Sequence, residues 1–162
     1  MSKFQRVSPK APRLKIAIYF DADQIGEVPV EAVPVDAVPD AAASSEAERL
    51  LDLACRIYEA RRLRRHYLAN SLLGEPAWDM LLALYCFTGR GQGISVSGLC
   101  QCADVPQTTA LRWLQHIESR KLAERTPDER DARRSFLTMS EKGRCMMEDY
   151  LRRLEKDDLD DF

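Results

Sequence analysis

Between Cys100 and Ser119 the chain reads CQCADVPQTTALRWLQHIES, and one break divides what would otherwise be a single helical stretch. The break is Asp104 with Pro106. Proline has no amide donor for a helix interior and pushes the residue before it out of helical geometry. A helix over Gly98–Ala103, capped by Ser97 or Ser95, must therefore stop, turn within a few residues and restart near Gln107. Beyond the break Ala110, Leu111, Leu114 and Ile117 recur at three- and four-residue spacing, the apolar face of a helix over Gln107–Ser119. Gln107, Thr108, Arg112 and His116 are left for something outside.

The flanking sequence adds further elements. Ser45, with Glu48 three residues on, starts a long helix that the stripe Leu50, Leu53, Ala54, Ile57 and Ala60 carries toward Leu73. Gly74 ends it, and Pro76 opens a second helix over Ala77–Thr88, whose Trp78, Leu81, Leu82, Tyr85 and Cys86 point to a core. Gly89–Gly93 is a loop and Ile94–Val96 a short β-prone run. After the Gln107–Ser119 helix, Leu122–Arg125 and Ser135–Met139 are β-prone and joined by the charged TPDERDARR. A last helix over Glu141–Leu154 carries Cys145, Met146, Tyr150 and Leu154.

Two short helices in a tight turn followed by a two-stranded hairpin describe a winged helix-turn-helix, a mainly α fold with a small β-wing and long flanking N- and C-terminal helices. The arrangement has a physical use. An α-helix fits the major groove of B-form DNA, where base edges display distinct donors and acceptors, and a charged hairpin beside it reaches phosphates or the adjacent minor groove. Winged helices also serve as protein-interaction modules, so the pattern alone leaves both uses open.

The segment DERDARRSFLTMSEKG at 128–143 resembles the wing of the MarR family of winged helix-turn-helix transcriptional regulators. The matching residues are Asp128, Arg130, Asp131 and Arg133, then Leu137, Thr138, Lys142 and Gly143. The resemblance covers roughly Pro76–Leu154, and Glu46–Leu73 lies where that family places its first dimerisation helix. It implies a homodimer, built from the first and last helices, that binds double-stranded DNA. It also implies a wing-tip arginine at the minor groove, falling on Arg133 with Arg134 beside it, and an acidic neighbour, Asp131, that holds the wing. One departure is Lys121, where the family carries glycine after the recognition helix. The helix must then close through a left-handed or 3₁₀ turn on a non-glycine residue.

The DNA-contact candidates follow residue by residue. Arg112 has the fork to bond guanine O6 and N7, and Gln107 the amide to bond adenine. Thr108 and Thr109, near the helix start, suit a phosphate or a thymine methyl. His116, one turn past Arg112, suits phosphate, and Trp113 reads as a partly buried support. Arg130, Arg133 and Arg134 cluster at the wing. The block RRLRRH at 61–66 puts Arg61 and Arg65 on one helix face, and Arg62 and His66 on the next. It is expected to complement the acidic linker at 27–40 or the acidic tail at 157–161, within or between subunits, or to flank the DNA. A second protein docking through the linker or the Arg61–His66 band is the alternative function.

Charge narrows the possibilities. A net charge of −2 and a pI near 5.8 give no global attraction for nucleic acid or anionic membrane, so DNA binding rests on a local patch. Residues 1–45 divide into a basic arm with Lys3, Arg6, Lys10, Arg13 and Lys15, a strand-like LKIAIYF at 14–20, and an extended acidic linker with prolines at 29, 34 and 39. The domain proper is expected over 46–156, and the acidic tail over 157–162. Five cysteines inside mostly apolar segments suit a reducing, cytoplasmic setting, with Cys100 and Cys102 packed as small hydrophobes. Only His66 and His116 are available beside them, so neither metal nor other cofactor is expected. There is no apolar run of signal-peptide or membrane-spanning type, and no nucleophile triad, phosphate loop or metalloprotease motif, so an enzyme is not expected.

Overall fold

A computed structural model of the chain describes residues 32–34, 45–68, 72–128 and 134–160. Five α-helices occur among them: α1 (Ser45–Leu63), α2 (Pro76–Gly89), α3 (Val96–Cys102), α4 (Gln107–Ser119) and α5 (Glu141–Asp160). Four strands, β1 (Ala32–Pro34), β2 (Gln92–Ser95), β3 (Ala123–Pro127) and β4 (Ser135–Met139), form one antiparallel sheet in the order β1-β2-β4-β3. The order α2, β2, α3, α4, β3, β4 is that of a winged helix-turn-helix, with β3 and β4 as the wing.

Helix α2 is the centre. Met80, Leu82, Ala83, Leu84, Tyr85, Cys86 and Phe87 are all buried, so it is wrapped on every side rather than along one stripe. Pro76 begins it, where a missing amide proton costs nothing, and Gly91 at φ 69 receives its end. The Thr88 hydroxyl accepts the Met139 amide at 2.8 Å, which fixes the end of α2 to the central strand β4. Ile94 pairs with Leu137, and both are fully buried. The sheet thus closes the core that α3 and α4 cover through Leu99, Ala110, Leu114 and Ile117.

Several expectations change. The helix read over 46–73 ends at Leu63 and tightens into a 3₁₀ turn over Arg64–His66, with Tyr67 N–H donating to the Arg64 carbonyl at 3.1 Å. Ion pairs that hold Arg61 and Arg65 to acids on other elements fall at this end, and tertiary contacts there override periodicity. The buried face of α1 is Leu50, Ala54, Cys55 and Tyr58, and Ala60 is exposed. On α5 the buried apolar side chains are Met147 and Leu151, with Glu148 beside them, whereas Cys145, Met146 and Tyr150 point outward.

The stretch read as an extended linker contributes β1, paired with β2 through Ala32↔Ile94, Val33↔Gly93 and Pro34↔Gln92. An outer strand tolerates proline, which has no ladder donor to lose. The tail read over 157–162 begins as helix, since α5 continues to Asp160. The basic arm and Leu14–Phe20 lie outside the described residues.

Candidate nucleic-acid interface

The bracing helix α3 is set by Ser95, whose hydroxyl accepts the Gly98 amide at 3.1 Å, while Ser97 Oγ lies 3.2 Å from Ser95 Oγ. Of the two serines offered by the sequence, Ser95 is the cap. Leu99, Cys100 and Cys102 are buried beneath α3, in the structural role expected of the two cysteines. The turn then passes through Asp104 at φ 53, a left-handed conformation that a non-glycine residue adopts at a cost. Pro106 stands at the N-cap of α4, its carbonyl accepting the Thr109 and Ala110 amides at 2.8 and 3.0 Å.

Helix α4 spans Gln107–Ser119, as the spacing implies, and buries Ala110, Leu114 and Ile117. Gln107, Thr108, Arg112 and His116 are exposed and Thr109 is half-buried. Leu111, assigned above to the apolar face, is 36% exposed and belongs to the outer surface. At 3.6 residues per turn it lies about 100° from Ala110, outside the arc that Ala110, Leu114 and Ile117 define. Gln115 is exposed as well and escaped the sequence reading, although it lies three residues after Arg112 and seven after Thr108, on the same face. Arg112 and Gln115 make no hydrogen bond or ion pair among the described residues. Trp113 is 38% exposed, its ring centroid 5.8 Å from that of His116, so it lies at the edge of the face.

The end of α4 solves the missing-glycine problem. Lys121 takes φ 58, its amide donating to the Glu118 carbonyl at 2.8 Å, and Leu122 donates to the Ile117 carbonyl at 3.1 Å. This is the Schellman pattern, with buried Leu122 and Ile117 as its apolar pair. Arg125 on β3 grips Glu118 with two nitrogens at 2.8 and 3.1 Å and reaches Ser135 Oγ at 3.4 Å. A bidentate fork fixes orientation as well as distance, so α4 and the wing are held as one piece.

The wing narrows at Pro127↔Ser135, and beyond that pair Asp128 N–H donates to the Arg134 carbonyl at 3.0 Å. Arg134 is exposed. Arg130, Asp131 and Arg133 lie outside the described residues. At the base of the wing Ser140 caps α5, accepting the Gly143 amide at 3.0 Å while donating to the Lys121 carbonyl at 2.7 Å. A Cβ on Gly143 would press on the Leu122 carbonyl and the Met139 side chain, which explains glycine there.

The arginine block finds partners the sequence did not indicate. Arg61 Nε donates to Asp79 at 2.5 Å and its Nη1 to Glu75 at 2.7 Å, while Arg65 Nε lies 3.1 Å from Asp104. With side-chain exposures of 15% and 17%, Arg61 and Arg65 are committed within the domain. They are therefore unavailable as the docking band proposed for a second protein. Asp79, buried on α2, joins Gln115 among the residues that sequence pattern alone does not single out.

No family profile matches the chain, and no curated protein does. Among solved structures it is similar to a mutant of MarR from E. coli, at 20% identity over 69% of this chain and 77% of that one, with a TM-score of 0.44. It is also similar to the transcriptional regulator Tm0710 from Thermotoga maritima, at 22% identity, 72% and 79% coverage and a TM-score of 0.43. A third is the transcriptional regulator BldR from Sulfolobus solfataricus, at 20% identity, 76% and 87% coverage and a TM-score of 0.40. The winged helix-turn-helix itself rests on the element order and strand register given above. Among the described residues no helix is long and apolar enough to cross a membrane.

Proposed function

We propose that the chain is a homodimeric transcriptional regulator that binds duplex DNA, with α4 in the major groove and the β3–β4 wing at the minor groove. The observation that carries this reading is the outer face of α4: Gln107, Thr108, Arg112 and Gln115 are exposed together on a rigid helix. A polar face without internal partners on a braced helix of this length suits base edges. Arg112 pairs with guanine, Gln107 or Gln115 with adenine, and Leu111 meets a thymine methyl. Thr108, Thr109 and His116 take phosphates, and Arg130, Arg133 and Arg134 serve the wing.

Exposed Met146 and Tyr150 on α5, with Trp78 edge-on to Tyr150 at 5.0 Å, support a dimer face beside α1. Two copies of α4 then enter successive major grooves about 34 Å apart. Five free thiols suit a reducing, cytoplasmic compartment. Selection from a random duplex library tests the reading: enrichment of a two-fold symmetric site supports it, and a library that stays random rejects it.

A further inference from the structure

The turn between α3 and α4 decides where α4 begins, and it is tied to the far end of α1. Asp104, left-handed at φ 53, has its carboxylate 3.1 Å from Arg65 Nε. Arg65 belongs to the 3₁₀ turn that closes α1, and its Nη2 lies 3.8 Å from Asp79 Oδ2. The other Asp79 oxygen accepts from Arg61, which continues to Glu75 at the start of α2. Acid and base alternate through Glu75, Arg61, Asp79, Arg65 and Asp104. The three middle side chains are 7% to 17% exposed, so water screens the two pairs to Asp79 less than surface ones, whereas the Glu75 and Asp104 carboxylates at the ends are 64% and 32% exposed.

Aspartate enters the left-handed region more readily than most residues, yet still at a cost, and the Arg65 ion pair is the tertiary contact its side chain makes there. We propose that Arg65 is a positioning residue: through Asp104 it latches the α3–α4 turn, so a displacement of the 3₁₀ end of α1 changes how α4 is presented. The effect on DNA rests on the function proposed above, whereas the coupling itself does not.

The test is a double-mutant cycle of Arg65→Met and Asp104→Asn, read in two ways. Asparagine tolerates the left-handed region as well as aspartate does, so Asp104→Asn removes the charge and keeps the backbone preference. One readout is the Trp113 indole resonance in ¹H–¹⁵N spectra, which has a single other tryptophan, Trp78, to be told from. The other is affinity for the selected duplex at fixed salt. Arg152→Met, which breaks ion pairs to Glu46, Glu148 and Asp149 elsewhere in the fold, serves as the control for general destabilisation.

Each single variant is expected to move the Trp113 resonance and weaken binding by about threefold to tenfold, with the double variant no worse than the poorer single. The control leaves the Trp113 resonance unmoved. A Trp113 resonance unmoved in folded variants, or losses that add fully in the double, overturns the latch. If the unaltered chain binds no duplex, the DNA reading fails and the indole cycle alone decides the coupling.

Discussion

Lys121 and Asp104 hold nearly the same left-handed backbone, at φ 58 and φ 53, yet differ in what their side chains do. Lys121 is exposed and closes α4 through main-chain hydrogen bonds that any residue can make. Asp104 adds the ion pair to Arg65. Replacing Lys121 by glycine removes a conformational cost of about 1–2 kcal/mol, offset by about 0.4–1 kcal/mol of extra freedom in the unfolded chain. The expected net gain is about 0.5–1 kcal/mol, a rise in Tm of about 2–5 °C. Replacing Asp104 by glycine relieves less backbone strain, because aspartate enters the left-handed region more readily than lysine, and forfeits a part-exposed ion pair of about 0.2–1 kcal/mol, so Tm should rise less than for Lys121→Gly. Thermal unfolding followed by circular dichroism, with urea titration to check that the slope is unchanged, measures both. Equal rises would show that the ion pair contributes nothing. A fall for Lys121→Gly would refute the left-handed-strain reasoning altogether.

Other consequences are equally direct. Gly143→Ala places a Cβ against the Leu122 carbonyl and the Met139 side chain, and should cost about 1–3 kcal/mol in urea-induced unfolding. A wild-type midpoint would mean that α5 approaches the wing base less closely than described. Thiol titration of the native chain should label one cysteine quickly and all five after denaturation, because Cys145 is exposed and Cys55, Cys86, Cys100 and Cys102 are buried. Local desolvation and the hydrogen bond to Glu141 raise the Cys145 pKa, so less thiolate is present at neutral pH and the labelling rate should still climb where an ordinary thiol has levelled off. A rate that saturates earlier would contradict the Glu141 contact. Rapid labelling of a second thiol would contradict the packing of the core.

What was legible in the sequence was what local chemistry decides. Pro76, Asp104 and Pro106 punctuate the chain strongly enough to place α2 and α4, and β4 follows from Ser135–Met139. The register of β1 on β2 was not legible, because a proline-spaced VP stretch has no alternation to announce pairing and gains its strand from the open edge of β2. The end of α1 was misjudged for a related reason. Its apolar spacing continues past Leu63, and only Asp79 and Asp104, far along the chain, show why the backbone tightens there.

The candidate interface divides the same way. Helical spacing identified the centre of the outer face of α4, with Thr108 and Arg112, but a three-residue buried arc is too narrow to assign Leu111 or to exclude Gln115 by pattern alone. RRLRRH announced ion pairing and could not name the acids, since pairing across elements depends on the tertiary path.

The proposed function turns on α4 reading duplex DNA through Arg112. Fluorescence anisotropy of the full chain on the selected duplex, titrated against salt, tests it most directly in comparison with Arg112→Ala. The variant is expected to lose about 1–3 kcal/mol of preference at one base-pair position, while the salt dependence of its residual binding shows that phosphate contacts remain. Unchanged affinity and unchanged sequence preference in a folded Arg112→Ala protein would contradict it.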